Sequence, residues 1–358
     1  MNKKEGKSAL NESKNKPEAR NISNASAQRI RSFRKKKFSA DELVEQLLQG
    51  NKTALGRAIT LIESNQKKHQ QQANIILEKA LPFSQKSIRI GITGVPGVGK
   101  STFIESFGSF LISKGKKVAV LAVDPSSSVS HGSILGDKTR MENLVKEPDA
   151  FIRPSPSGDS LGGVARKTRE SIVLCEAAGF DVILIETVGV GQSETTVHSM
   201  TDFFLLLKLS GAGDELQGIK RGIVEMADAI VINKADGENL KAARDAKLEF
   251  SRALQLYPAK ESGWKPSVKL CSALLNEGIE DIWKMISDFR KEVEENKFFF
   301  KNRQEQNKFW MYQTINDYLK NRFYENETVK KALKEQLKLI EENKTTAFAA
   351  AKYLLSLT

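Results

Sequence analysis

A chain of 358 residues, 40% hydrophobic and 28% charged, is long enough to bury a sizeable core and predicts one large domain with smaller additions. No apolar run approaches the roughly 18 to 20 residues that cross a bilayer, which argues against a membrane-spanning protein. The net charge of +12 suggests nucleic acid until it is mapped: residues 1–37 carry +9 and the rest of the chain only +3.

That basic stretch is rich in Asn, Ser and Lys and too poor in apolar residues to build a core, so 1–37 reads as a disordered, solvated tail. An acidic partner, a nucleic acid or an organelle-targeting role are its functional alternatives. It has no apolar segment for a secretory signal, and its lysines and glutamates suit a transit peptide badly. Ordered sequence starts at "SADE", where Ser39 and Glu42 form a capping box, followed by an apolar helical face of Leu43, Val44, Leu47 and Leu48. Two more helical patterns, "TALGRAITLIES" and "QQANIILEKAL", complete a helical preface over 38–85.

From Ser87 the pattern changes to short apolar runs alternating with helical stretches: "IRIGITG", "KVAVLAVD", "FDVILIE", "DFFLLLKL", "DAIVINKAD" and "SVKLCSA". Continuously apolar strands spaced by helices predict a doubly wound α/β domain over 86–295, with a mostly parallel sheet covered on both faces and helical extensions at either end. The strands stop after residue 295, and 296–358 reads as two or three amphipathic helices. Its aromatics Phe309, Trp310, Tyr312, Tyr318, Phe323 and Tyr324 suit packing or a dimer interface better than a cofactor. Cys175 and Cys271 are far apart, so neither a disulfide framework nor a zinc site is expected, in keeping with a reducing cytoplasm. Cys175, in "SIVLCEAAG", reads as a buried structural thiol.

The first strand runs into "GVPGVGKST", which has the P-loop pattern G-x-x-x-x-G-K-[ST] in strand-loop-helix context. The backbone of Gly94, Val95, Pro96, Gly97, Val98, Gly99 and Thr102 can close around phosphates, Lys100 can reach the β and γ phosphates, and Ser101 can hold magnesium. The base is read from "NKAD" at the end of a later apolar strand. Asp236 offers two carboxylate oxygens to the adjacent ring NH and amine of guanine, Asn233 can brace the loop, and the stem of Lys234 can pack on the base. In "CSAL", Ser272, Ala273 and Leu274 follow one more strand, with the Ala273 NH aimed at the guanine oxygen. Together these predict GTP. Candidate magnesium acids are Asp124 and Glu186 at strand ends and Asp137 in the connector "DPSSSVSHGSILGDKTR". His131 reads as a loop histidine and His198 as a helix residue.

The stretch "ETVGVGQSE", Glu186 to Glu194, has the place of a hydrolase switch but opens on Glu, puts Val190 where a water-orienting glutamine usually stands, and carries Gln192 two places late. With "GVPGVGKST", "AVDPSSS", "SILGDKTRM", "GAGDELQGIKRG" and "NKAD", it closely resembles the MeaB/ArgK family, called MMAA in animals. The likeness covers nearly everything from about residue 40 onward. It implies a GTPase chaperone that gates cofactor loading into, and protects, an adenosylcobalamin-dependent acyl-CoA mutase, chiefly methylmalonyl-CoA mutase. It also implies a homodimer through C-terminal helices.

Residue by residue, the resemblance puts Lys100 and Ser101 on phosphate and magnesium, Asp124 and Asp137 in a first switch, and Glu186 with Gly189 in a second. In a third switch, Gly211 to Gly222, Lys220 is a candidate for stabilising charge on the transferred phosphoryl group. His131 stands where relatives are expected to have glycine, and "PSGDSLGG" is slightly altered. Without a glutamine beside Gly189 or an obvious arginine finger, worth about 10³ to 10⁵ elsewhere, intrinsic hydrolysis should be slow and wait on the client. The main rival reading, a nickel or other metal-centre maturation GTPase, normally needs Cys or His clusters, which three scattered histidines and two cysteines do not supply. A protein kinase would need a catalytic loop that is missing, and a nucleic-acid module would have to rest on the tail alone.

Overall fold

The computed structural model describes residues 38–123, 141–154, 161–187, 193–211 and 221–357; the basic tail lies outside the described residues. Among the described residues, seven strands, β1 (Ile88–Gly94), β2 (Val118–Val123), β3 (Ala150–Arg153), β4 (Val182–Thr187), β5 (Phe203–Lys208), β6 (Ala229–Ile232) and β7 (Ser267–Leu270), form one sheet in the order β3-β2-β4-β1-β5-β6-β7. Every neighbouring pair is parallel. Central β1 has all seven residues buried, because helices cover both faces, so its sequence runs apolar instead of alternating.

The strand missing from the sequence expectation is β3. Four residues at the sheet edge, only partly buried, give no periodicity to read. Its edge is guarded from the helical preface. Lys52 Nζ donates to Ala150 O at 3.0 Å, and Arg153 Nε donates to Glu63 Oε1 at 3.0 Å.

The preface consists of α1 (Ala40–Leu48), α2 (Lys52–Glu63) and α3 (Lys67–Ala80), which pack on one another and on α5 (Leu161–Ala177). Asn51 caps α2 by accepting from the Thr53 and Ala54 amides. On α1, Leu43, Val44 and Leu47 are buried while Leu48 is only half-buried, so the apolar face is narrower than the sequence suggests. Between the first two strands, α4 (Lys100–Ser113) turns Phe103, Ile104, Phe107 and Leu111 into the core. The remaining α-helices among the described residues are α6 (Ser193–His198), α7 (Arg221–Met226), α8 (Leu240–Leu254), α9 (Ile279–Glu295), α10 (Phe298–Glu325), α11 (Glu327–Glu341) and α12 (Ala347–Leu355). The aromatic contact between Phe289 of α9 and Phe203, with ring centroids 4.9 Å apart, fastens α9 under the sheet.

The amino end of the sheet holds a buried ionic cluster. Arg89, inside the apolar run of β1, grips Glu176 of α5 with two parallel bonds of 2.9 Å. Arg303 of α10 grips Asp202, just before β5, at 2.8 and 2.6 Å, and its guanidinium also donates to the Gln85 and Ser87 carbonyls. All four charged residues are buried. Burial alone would raise the Glu176 and Asp202 carboxyls, but the Arg89 and Arg303 guanidiniums outweigh it and hold both below the usual carboxylate range. The cluster ties helices α5 and α10 to β1 and the lead-in to β5, through bonds spanning up to 218 residues.

Candidate functional site

Parallel α/β sheets bind ligands outside the carboxyl ends of their strands. Here that crevice is lined by the segments leaving β1, β6 and β7 and by the end of β4. The loop from β1 into α4 turns on Gly94 (φ 154°), Gly97 (φ 81°) and Gly99 (φ 92°), conformations that L side chains rarely adopt. A Cβ at Gly94 would fall 2.6 Å from Leu207 O, and one at Gly99 would fall 2.8 Å from Asn233 Nδ2, so close neighbours as well as backbone angles require glycine. Val98 anchors the loop in the core while Pro96 and Gly97 form its exposed tip. The unpaired amides of the first turn of α4 face the loop, where helix geometry favours an anion.

Lys100 is buried, and its Nζ donates to Gly94 O at 2.8 Å and Val95 O at 3.3 Å. Burial lowers its ammonium below the ordinary lysine range, opposed by the Glu186 and Glu194 carboxylates. Ser101 Oγ stands 3.5 Å from Glu186 Oε1. These are hard oxygen donors on adjacent segments, which suits a magnesium ion that takes the rest of its shell from phosphates and water. Behind them, Thr187 Oγ1 donates to Thr93 Oγ1 at 2.9 Å and locks β4 to β1 at the level of the site.

Asn233 joins the two halves of the crevice. Its Nδ2 donates to Val98 O of the P-loop at 2.9 Å, and its Oδ1 accepts from the Ala273 NH at 3.2 Å. The side chain is 1% exposed, so one buried amide sets the distance between the phosphate loop and the loop after β7. The Ala273 NH, assigned from sequence to the guanine oxygen, thus already serves this brace. Half-buried Asp236 accepts from Ser272 Oγ, and Ser272 exchanges two backbone bonds of 3.0 Å with Glu277. A carboxylate held this way has the acceptor oxygens that a paired ring NH and amine would need. Lys234 is exposed in a left-handed conformation (φ 57°), its carbonyl accepting from Asn239 Nδ2 at 2.6 Å; Leu274 is exposed. The Cys271 thiol, behind the loop, is pushed up to about 12 by burial, with the Asp236 charge adding to it.

Asp124, Asp137, Gly189 and Lys220 lie outside the described residues, as do His131, Val190 and Gln192. One group that sequence reasoning left without a role is Glu194. It sits in the first turn of α6, 7% exposed, and its charge opposes the lowering of the Lys100 ammonium. Its sequence signal was an acid closing the switch stretch "ETVGVGQSE". His198 ends the same helix edge-on to Phe204, ring centroids 5.4 Å apart, and burial holds it below the ordinary histidine range. Cys175 is fully buried, and desolvation drives its thiol far above the ordinary range.

A glycine-turned P-loop on the central strand of a parallel sheet, tied by Asn233 to a carboxylate-bearing base loop, defines the class: this is a P-loop GTPase. In agreement, a crystal structure titled LAO/AO transport system kinase superposes with a TM-score of 0.72 and 37% identity, covering 89% of this chain and 97% of that one. A family model described as "Methylmalonyl Co-A mutase-associated GTPase MeaB" matches residues 55–328, and the chain belongs to that family. It is similar to GTPase ArgK of Escherichia coli, 45% identical over 302 residues, which are 84% of this chain and 91% of that protein. It is also similar to the mitochondrial methylmalonic aciduria type A homolog of Mus musculus, 43% identical over 311 residues, 84% of this chain and 74% of that protein.

Proposed function

We propose that this GTPase is a chaperone for an adenosylcobalamin-dependent acyl-CoA mutase, gating cofactor loading and protecting the mutase, with methylmalonyl-CoA mutase as the client. The observation that carries this reading is the family match itself, whose printed description names that mutase. GTP is bound with Lys100 and the P-loop amides on its phosphates and Asp236 on its base. Ser101 and Glu186, with Asp124 and Asp137, are the residues that would hold magnesium, which when bound neutralises phosphate charge. Hydrolysis is in-line attack of water on the γ phosphate, helped by positioning and charge neutralisation. Gly189 offers its NH to the γ phosphate and Lys220 meets the transferred phosphoryl group.

Val190 supplies no water-orienting side chain, so basal turnover is slow and the client completes the site. The protein works as a homodimer through α10–α12, where Tyr312, Tyr318, Leu319 and Phe348 are exposed apolar or aromatic residues with no covering element within the described chain. No helix among the described residues is long and apolar enough to cross a membrane, and with two buried free cysteines the chain suits a reducing cytoplasm. The test is single-turnover GTP hydrolysis by the full chain with and without a cobalamin-dependent mutase, together with pull-down in the GTP and GDP forms. A rise of at least about tenfold and state-dependent capture are expected. Unchanged turnover with every such mutase tried would remove the chaperone reading and leave the GTPase standing.

A further inference from the structure

The helix that starts at the P-loop also touches the loop beside the base-reading acid. Ser106 of α4, 8% exposed, donates its Oγ to Asn276 Oδ1. It lies about 9 Å along the helix axis from Lys100, so one short rigid element carries the phosphate-binding residues and this contact together. Next to it, Phe107 packs on Trp283 of α9 with ring centroids 6.2 Å apart.

Asn276 belongs to the loop 272–277 after β7, which is closed on itself. Ser272 and Glu277 exchange two backbone bonds of 3.0 Å at its base, and the Leu275 amide donates to Ser272 Oγ at 3.2 Å. Asn276 is left-handed (φ 59°), a conformation that asparagine tolerates better than most side chains. Where the loop leaves, Gly278 (φ 76°) passes so close to β7 that a Cβ would fall 2.3 Å from Leu270 O. A loop closed at its base and bonded across its middle shifts as a unit. Its first half is held by Asn233, which accepts from the Ala273 NH, and its second half by Ser106. Leu274, Leu275 and Asn276 are exposed, so burial does little to fix the second half and the bond to Ser106 carries that task.

We infer that Ser106 and Asn276 are positioning residues for guanine recognition. They set where the loop stands relative to α4, and within the loop Ser272 Oγ holds the Asp236 carboxylate. Each link from α4 to Asp236 is a hydrogen bond or part of one closed loop. This role rests on Asp236 as the acid that reads the base, and it adds what keeps that acid at a fixed distance from the phosphates. A site that recognises a base by hydrogen bonds discriminates only while its acceptors are in place. Loosening the second half of the loop therefore weakens the base contacts and leaves the phosphate contacts alone.

The experiment uses the full-length protein with two variants that disturb the backbone least. Ser106→Ala removes a hydroxyl within a helix, and Asn276→Gly removes a side chain while keeping the left-handed turn. Calorimetric binding of GTP, of GDP and of inorganic tripolyphosphate, which has no base, reads the two ends of the site separately. Each variant should bind GTP and GDP about fivefold more weakly, from the loss of one hydrogen bond, with tripolyphosphate binding and saturated kcat within about twofold. The double variant should be no more than about twofold weaker than either single one, because both remove the same bond. Unchanged GTP and GDP affinity, losses that multiply, or an equal loss for tripolyphosphate overturns the proposal. A lowered melting temperature with intact affinity, the mark of a merely structural contact, overturns it as well. Asp236→Asn, measured in parallel with xanthosine triphosphate, tests the underlying reading on its own: if it keeps its preference for GTP, the base assignment falls, while the affinities of the two brace variants still decide theirs.

Discussion

At the carboxyl ends of the strands, the polar groups of the nucleotide site come from three short motifs, each placed by the strand immediately before it. At the amino ends, the polar groups come one at a time from β1, α5, the lead-in to β5 and α10, and meet only because the chain folds. Both ends bury charge beside backbone, yet they use it differently. Lys100 is held on two carbonyls, short of the full set of anionic partners its charge could take, which suits a group meant to meet phosphate. Arg89, Glu176, Asp202 and Arg303 are paired to one another, which suits groups meant to stay put. One end keeps its electrostatics available for a ligand; the other spends them on docking the C-terminal arm.

The sharpest way to break this comparison is to make the same chemical change, carboxylate to amide, at each end. Asp236→Asn should reverse base preference from GTP toward xanthosine triphosphate by a factor on the order of 10⁴ in kcat/KM, because guanine then leaves buried donors unpaired. Its thermal unfolding should hardly move. Glu176→Gln should do the opposite, costing roughly 3–5 kcal/mol in denaturant unfolding by leaving Arg89 buried without its partner, with nucleotide preference intact. If Glu176→Gln instead altered base preference, the separation of the two ends would fail.

A smaller effect is expected where the site depends on a brace. Asn233→Ala strands the Val98 carbonyl and the Ala273 NH, at a cost of roughly 1–3 kcal/mol that should appear as weaker GTP and GDP binding in calorimetry. The smallest and most gradual effect is with pH. The Glu176 and Asp202 carboxyls titrate lower in the folded protein than in the unfolded chain. Their contribution is therefore complete above the unfolded values near about 4 and is lost as pH falls through the depressed native ones. Stability to denaturant should be nearly level above about pH 5 and decline below about 4, and Glu176→Gln should flatten part of that decline.

The P-loop and the "NKAD" turn were legible because they are local. Gly94 to Thr102 and Asn233 to Asp236 each pair a strand end with a turn, and strand ends are readable from apolar runs. The brace between them was only half legible: Asn233 could be expected to steady a loop, but its two partners, Val98 and Ala273, are separated from it by 135 and 40 residues. β3 was hidden by its four-residue length. The ionic cluster left a trace that could have been followed, since Arg89 interrupts "IRIGI" and Glu176 interrupts "LCEAAG", and a charge inside a buried run needs a partner.

The sequence alone determined the parallel α/β class, the phosphate loop and the GTPase class, because each rests on residues within one turn of a strand end. Only the tertiary structure decided that Glu194 is buried at the start of α6 and that Arg303, Gln306 and Trp310 hold the four residues that follow that helix. Those contacts join segments about a hundred residues apart, and which face of a helix meets which loop is fixed by packing, not by any local pattern.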